Sequence, residues 1–167
     1  TDDEINKLAK LAEKNQIPLI IDNAYGKPFP NAIFTESNLI WNKNIILSMS
    51  LSKLGLPTSR IGIFVADEKI VTALSRANAI LSLANAGFGQ ALVKPLLKDS
   101  KIIEISNNYI KPYYEDRLKQ ALGFIKKYFD DSLPYYVHKA EGTFFFWLWF
   151  KGMPITTKEL YNKLKKR

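Results

Sequence analysis

Two apolar segments constrain this chain more than anything else in it: the unbroken run Ile17-Pro18-Leu19-Ile20-Ile21, and residues 44–49, built on Ile45-Ile46-Leu47. Both are rich in β-branched side chains and too short for ordinary helices, so each reads as a strand. Neither alternates with polar residues, which is the pattern of a strand covered on both faces in a parallel sheet flanked by helices. Both runs stop at polar residues, Asp22 after the first and Ser50-Leu51-Ser52-Lys53 after the second. In open α/β sheets ligands settle beyond the carboxyl ends of the strands, so these two junctions are where chemistry is expected.

The segments around them support an α/β fold. Thr1 as N-cap with Glu4 three residues on forms a capping-box signal for a helix carrying Ile5, Leu8, Ala9 and Ala12 and stopping near Asn15. After Asp22, Gly26, Pro28 and Pro30 impose a loop. A third apolar run, residues 61–66, follows Lys53 too closely for a crossover helix and should therefore run antiparallel to its predecessor. Asp67 then caps a helix with Ile70, Leu74, Ala77 and Leu81 on one side. A long helix is expected over residues 99–129, interrupted or kinked at Pro112, with Leu118, Leu122, Ile125 and Phe129 as its apolar stripe. Pro134 closes it, a strand is expected over residues 141–150, and Thr156 or Thr157 opens a last helix. The long helix is the natural place for one domain to pass into another.

Composition removes several function classes. With no cysteine there is no disulfide framework and no thiolate metal site, and the one histidine, His138, rules out a two-histidine site and is assigned an ordinary role. No run approaches the roughly 20 apolar residues that cross a bilayer, and the opening Thr1-Asp2-Asp3-Glu4 is unlike an export signal, so a cytoplasmic location away from membranes is expected. The net charge is +8, and thirteen basic against seven acidic residues in 101–167 hold six of those charges. The closing Lys163-Leu164-Lys165-Lys166-Arg167 reads as the solvated side of a helix whose apolar side includes Leu160 and Leu164. A basic nucleic-acid-binding module is the alternative from another class; its affinity would fall steeply with salt, and the aromatic and basic interleaving of single-strand binders is missing. No glycine-rich nucleotide loop of the GxxxxGK[ST] or GxGxxG kind occurs.

At the two strand ends the residue types suit one another. A lysine amine is a nucleophile toward carbonyls once it has lost its proton, and hydroxyls beside it, with Arg60 a few residues on, suit a phosphate monoester. Taken singly, each has an ordinary alternative: a serine-rich turn, a turn cap at Asp22, a surface ion pair at Arg60.

Taken in order, Asp22-Asn23-Ala24-Tyr25, Ser50-Leu51-Ser52-Lys53 and Arg60-Ile61-Gly62 resemble the D-x-x-Y, S-x-S-K and R-x-G series of class I and II aminotransferases, the fold-type I pyridoxal-phosphate enzymes. The longer words DNAYGKPF (residues 22–29), SLSKLGLPTSR (50–60) and EGTFFFWLWFKGMPITTKEL (141–160) are similar to the branch that exchanges an amino group between valine and pyruvate. The resemblance implies an α/β fold comprising the later part of a large cofactor-binding domain, residues 1–110, with a mostly parallel sheet. Residues 111–167 would be the bridging helix and the start of a small α+β domain. It implies Lys53 as the amine that carries pyridoxal 5'-phosphate and moves the substrate proton. Asp22 would pair with the pyridine nitrogen, Tyr25 with the ring 3-oxygen, and Ser50 and Arg60 with the phosphate, Ser52 being a further candidate; no metal is implied. It implies a homodimer that passes an amino group from valine or alanine to a 2-oxo acid such as pyruvate, the substrates using the site in turn. Another fold-type I activity, or a regulator that has borrowed the domain, would keep the same lysine. The family's ring-stacking aromatic and carboxylate-gripping arginine would lie before and after this chain, which is therefore expected to be a fragment, and Arg167 is not given the arginine's role.

Overall fold

The first helix, α1 (Asp2–Lys14), starts at the foreseen capping box, with the Thr1 hydroxyl accepting from the Glu4 N–H, and buries Ala9 and Ala12. In the computed structural model, residues 1–84, 87–130 and 132–166 are described. The chain then enters β1 (Leu19–Asp22), which pairs in parallel with β2 (Ile45–Ser50) in the register Leu19↔Ile45 to Asp22↔Ser48. β3 (Gly62–Val65) lies antiparallel to β2, from Leu47↔Val65 to Ser50↔Gly62, as the short connection requires. β2 is thus the middle strand.

The sheet is covered unequally, which corrects the expectation of two buried faces. Ile45, Leu47 and Met49 are buried while Ile46, Ser48 and Ser50 are half-buried, and Ile20 of β1 is 65% exposed. Successive side chains of a pleated strand leave opposite faces, and the packed elements lie on the Leu47 side. There Phe29, Leu47, Met49, Leu51 and Leu54 meet Val93 and Ile102 from the helices.

Helix α2 (Glu68–Ser82) is capped by Asp67, which accepts from the Lys69 N–H at 3.1 Å. Its foreseen apolar side is not buried, Leu81 being 85% exposed, because a helical stripe shows that a face suits burial without supplying the element that covers it. Helix α3 (Gly87–Lys98) has no counterpart in the sequence reading: Gly87, Gly89 and Pro95 are helix breakers locally, yet Val93 and Gly89 pack into the core and tertiary burial prevails. The long helix is present in pieces: α4 (Lys101–Ile105), one π turn (Ser106–Ile110) and α5 (Lys111–Tyr128). Pro112 cannot donate to the carbonyl four residues before it and its ring crowds that position, and the widened turn lies just upstream.

The chain divides into two compact units, Thr1–Asp116 with Glu141–Thr143, and Arg117–Ala140 with Phe144–Arg167. In the second unit β4 (Tyr135–Val137) pairs antiparallel with β5 (Leu148–Phe150), with Phe129 packed on Tyr135 and Phe150 and Tyr136 stacked on Trp149. The strand expected over residues 141–150 is therefore only its last three residues. Thr143 has φ 67, which breaks the extended run, and Gly142 bridges to Ile33 of the first unit's own fold. His138 is exposed, and its backbone N–H donates to the Trp147 carbonyl. Helix α6 (Thr157–Lys165) opens on a complete capping box between Thr156 and Glu159, and its Lys163 and Lys165 are exposed as foreseen; Arg167 lies outside the described residues. Among the described residues no helix is long and apolar enough to cross a membrane.

The cap on α6 gives two expected results. Thr156→Ala should cost about 1 kcal/mol, the typical loss for an N-cap hydroxyl, read from the denaturation midpoint at neutral pH. Hydrogen bonds from the Thr156 backbone and hydroxyl hold the Glu159 carboxyl below its ordinary range. A carboxylate held low contributes its stability above its ordinary value and loses it as pH falls through the lowered one. The Glu159 amide should therefore lose its exchange protection in acid before the core amides of β2 do.

Candidate active site

Parallel register places Asp22 beside Ser48, and register partners share a face, so Asp22, Ser48 and, two residues on, Ser50 stand on the side of the sheet opposite the Leu47 core. The Ser48 hydroxyl donates to Asp22 Oδ1 at 3.3 Å. Beyond Ser50 the strand turns into one turn of 3-10 helix, Ser52–Leu54. Leu51 and Leu54 are buried and anchor that turn, holding Lys53 between two fixed points. Gly55 ends it at φ 101, a conformation glycine adopts without the steric cost of a Cβ. Ser50 Oγ accepts from the Ser52 N–H at 3.2 Å, which leaves its own hydroxyl proton for another acceptor.

Lys53 Nζ stands over the Tyr25 ring, 5.6 Å from its centre. Such contacts are worth about 0.5–1 kcal/mol where water reaches them, enough to bias the lysine's direction. The loop that presents Tyr25 is tied internally. The Asn23 side chain donates to the Lys27 carbonyl at 2.6 Å, the Asn31 N–H to Gly26 at 3.1 Å and the Ala32 N–H to Tyr25 at 2.9 Å. Asn31 is 7% exposed with φ 56, and its side chain donates to Asn107 in the π turn at 2.8 Å. The sequence reading missed Asn31; its signal was the residue type, since asparagine tolerates the left-handed region better than most.

Arg60 follows a second 3-10 turn, Pro57–Ser59, and returns beside the Lys53 segment because the Leu51 N–H bonds to the Ile61 carbonyl at 3.2 Å. Arg60 itself is exposed with φ 50. The turn is backed by Gly89 of α3, where an added Cβ would lie 2.7 Å from the Ser59 carbonyl oxygen and 3.1 Å from Ile61 Cδ1. Gly89→Ala should therefore destabilise the chain by about 1–3 kcal/mol, the usual cost of overpacking, measured as a lower urea midpoint. Gly87→Ala, where nothing lies within 4 Å of the new Cβ, is the control and should leave the midpoint unchanged or raise it.

All six residues foreseen from the sequence thus lie at or just beyond the strand ends: Asp22 and Tyr25 after β1, Ser50, Ser52 and Lys53 after β2, Arg60 before β3. The contacts join Lys53 with Tyr25 and Ser50 with Ser52, while Asp22 is joined to Ser48, which the sequence reading did not single out. Among the described residues no ion pair engages Asp22, Lys53 or Arg60. A lysine and an arginine outside any ion pair, a donor hydroxyl, and a carboxylate outside any ion pair, all at neighbouring strand ends, are the groups that suit a ligand bearing a phosphate and a protonated ring nitrogen. Pyridoxal phosphate has that distribution. No cluster of three metal-ligating side chains occurs among the described residues.

Residues 1–167 match the family described as aminotransferase class I and II. Valine–pyruvate aminotransferase of Escherichia coli (strain K12) is 50% identical over all of this chain, which spans 40% of that protein. The crystal structure of valine-pyruvate aminotransferase from Salmonella typhimurium LT2 superposes with a TM-score of 0.92 at 49% identity, covering 100% of this chain and 43% of that one. The HTH-type transcriptional regulator NorG of Staphylococcus aureus (strain N315) is 28% identical over 98% of this chain and 36% of its own length.

Proposed function

From the premise that this chain belongs to the class I and II aminotransferase family, whose fold-type I α/β architecture it shares, we propose that it is part of a pyridoxal-phosphate-dependent transaminase. The enzyme would pass an amino group from an aliphatic amino acid, valine or alanine, to a 2-oxo acid such as pyruvate, each using the site in turn. We assign residues 1–110 to the later part of the large domain and 111–167 to the bridging helix and the start of the small one. The whole protein is proposed to act as a homodimer in the cytoplasm.

The observation that carries the reading is Lys53 Nζ over the Tyr25 ring, at the end of the same parallel strand pair that presents Asp22. Pyridoxal phosphate, when bound, supplies an aldehyde carbon that takes and returns the amino group and a ring that accepts electrons from the substrate. Lys53 would hold it through the ε-amine and would take the proton from the amino acid's α-carbon. Asp22 keeps a positive charge on the ring nitrogen, Tyr25 donates its phenol proton to the 3-oxygen, and Ser50, Ser52 and Arg60 hold the phosphate. Borohydride reduction of the full-length protein loaded with pyridoxal phosphate, followed by peptide mass mapping, tests this. The cofactor mass is expected on the peptide containing Lys53, and its appearance only on other lysines would remove the assignment.

One second reading has support of its own, the similarity to NorG: an aminotransferase-like domain within a regulator. Amino transfer from alanine by the full-length protein favours the enzyme. Cofactor binding without turnover, in a protein with a helix-turn-helix segment, favours the regulator.

A further inference from the structure

The terminal torsion of an aspartate is broad, so the backbone position of Asp22 at the end of β1 does not by itself set the direction of its carboxylate. Ser48 supplies what is missing. Its carbonyl accepts the Asn23 N–H at 2.8 Å, which ties down the backbone just beyond Asp22, and its hydroxyl donates to Asp22 Oδ1 at 3.3 Å, which gives the side chain a preferred direction. The backbone of Ser48 is held in place, because Leu47 and Met49 on either side of it are buried in the core. One residue of the middle strand therefore holds both the backbone and the carboxylate of its parallel neighbour, and Oδ2 keeps no hydrogen-bond partner among the described residues.

We infer that Ser48 is the positioning residue for Asp22: its hydroxyl sets the carboxylate's rotation so that Oδ2 is the oxygen offered to the ring nitrogen of the cofactor. The inference rests on the role proposed above for Asp22. Ser48 touches neither substrate nor cofactor and acts only through Asp22.

The test is a double-mutant cycle in the full-length protein with Ser48→Ala, Asp22→Asn and the two combined, plus Ser48→Thr. The readings are pyridoxal phosphate affinity, the absorbance of the bound cofactor, and kcat and KM for the amino acid. Ser48→Ala should lower kcat about 3- to 10-fold, the scale of one net hydrogen bond, and cofactor affinity by less, with KM within about twofold. It should shift the absorbance in the same direction as Asp22→Asn. Ser48→Thr keeps the hydroxyl and suits a strand, and should restore both values to within about twofold. In the Asp22→Asn background, Ser48→Ala should add nothing. Equal losses in the two backgrounds, or no recovery with Ser48→Thr, would overturn the inference while leaving Asp22 in its role. Were Asp22→Asn itself silent in affinity, absorbance and kcat, the reading of Asp22 would fall, and this inference with it.

Discussion

Lys53→Ala in the full-length protein is expected to slow amino transfer by about 10²–10⁴-fold, the range that a positioned acid–base group contributes. The figure is a lower bound if covalent attachment adds to proton transfer. The substitution removes the only lysine in the 50–60 segment while leaving Leu51 and Leu54, which anchor the turn, in the core, so the fold should survive. Lys53→Arg separates charge from chemistry. Arginine keeps a cation near the Tyr25 ring but does not give up its proton in proteins, so it should be as inactive as alanine. Small external amines should restore part of the activity of Lys53→Ala and none of Lys53→Arg, because the alanine leaves room for an amine and the arginine fills it. Single-turnover kinetics would show this, and a Lys53→Ala protein retaining a tenth or more of the wild-type rate would remove Lys53 from the mechanism.

Asp22→Asn should lower kcat by about 10²–10³-fold, the scale for losing one preorganised electrostatic partner. Asparagine has nearly the same shape and still accepts the Ser48 hydroxyl through its carbonyl oxygen, so the strand end should keep its geometry and lose only its charge. Cofactor affinity should fall much less than kcat, since Lys53, Ser50 and Arg60 remain. Steady-state rates set against equilibrium dialysis of pyridoxal phosphate would separate the two. Equal losses in both would make Asp22 a binding group instead of the keeper of ring charge.

Much of the chain was legible because the signals are local. Thr1, Asp67 and Thr156 cap helices wherever a hydroxyl or carboxylate precedes a helical run, since the partner N–H groups are two or three residues away. The apolar runs marked β1 and β2, and the short link after Lys53 made β3 antiparallel, because a dozen or so residues are needed to cross over. Helix α3 was illegible for the converse reason: Gly89 and Pro95 oppose it locally, and only the packing of Val93 and the close approach of Gly89 to Ser59 account for it.

By itself, then, the sequence determined the kinds of element, the caps, and the order of the Asp22, Lys53 and Arg60 motifs at strand ends, all matters of neighbours within a few residues. Tertiary structure alone decided which face of β2 became core, that Ser48 would hold Asp22, that Gly89 would back the Arg60 turn, and that Gly142 would pair with Ile33. These contacts join residues some 25 to more than 100 positions apart. No local preference encodes them, because each becomes favourable only after the chain has lost the entropy of bringing its distant parts together.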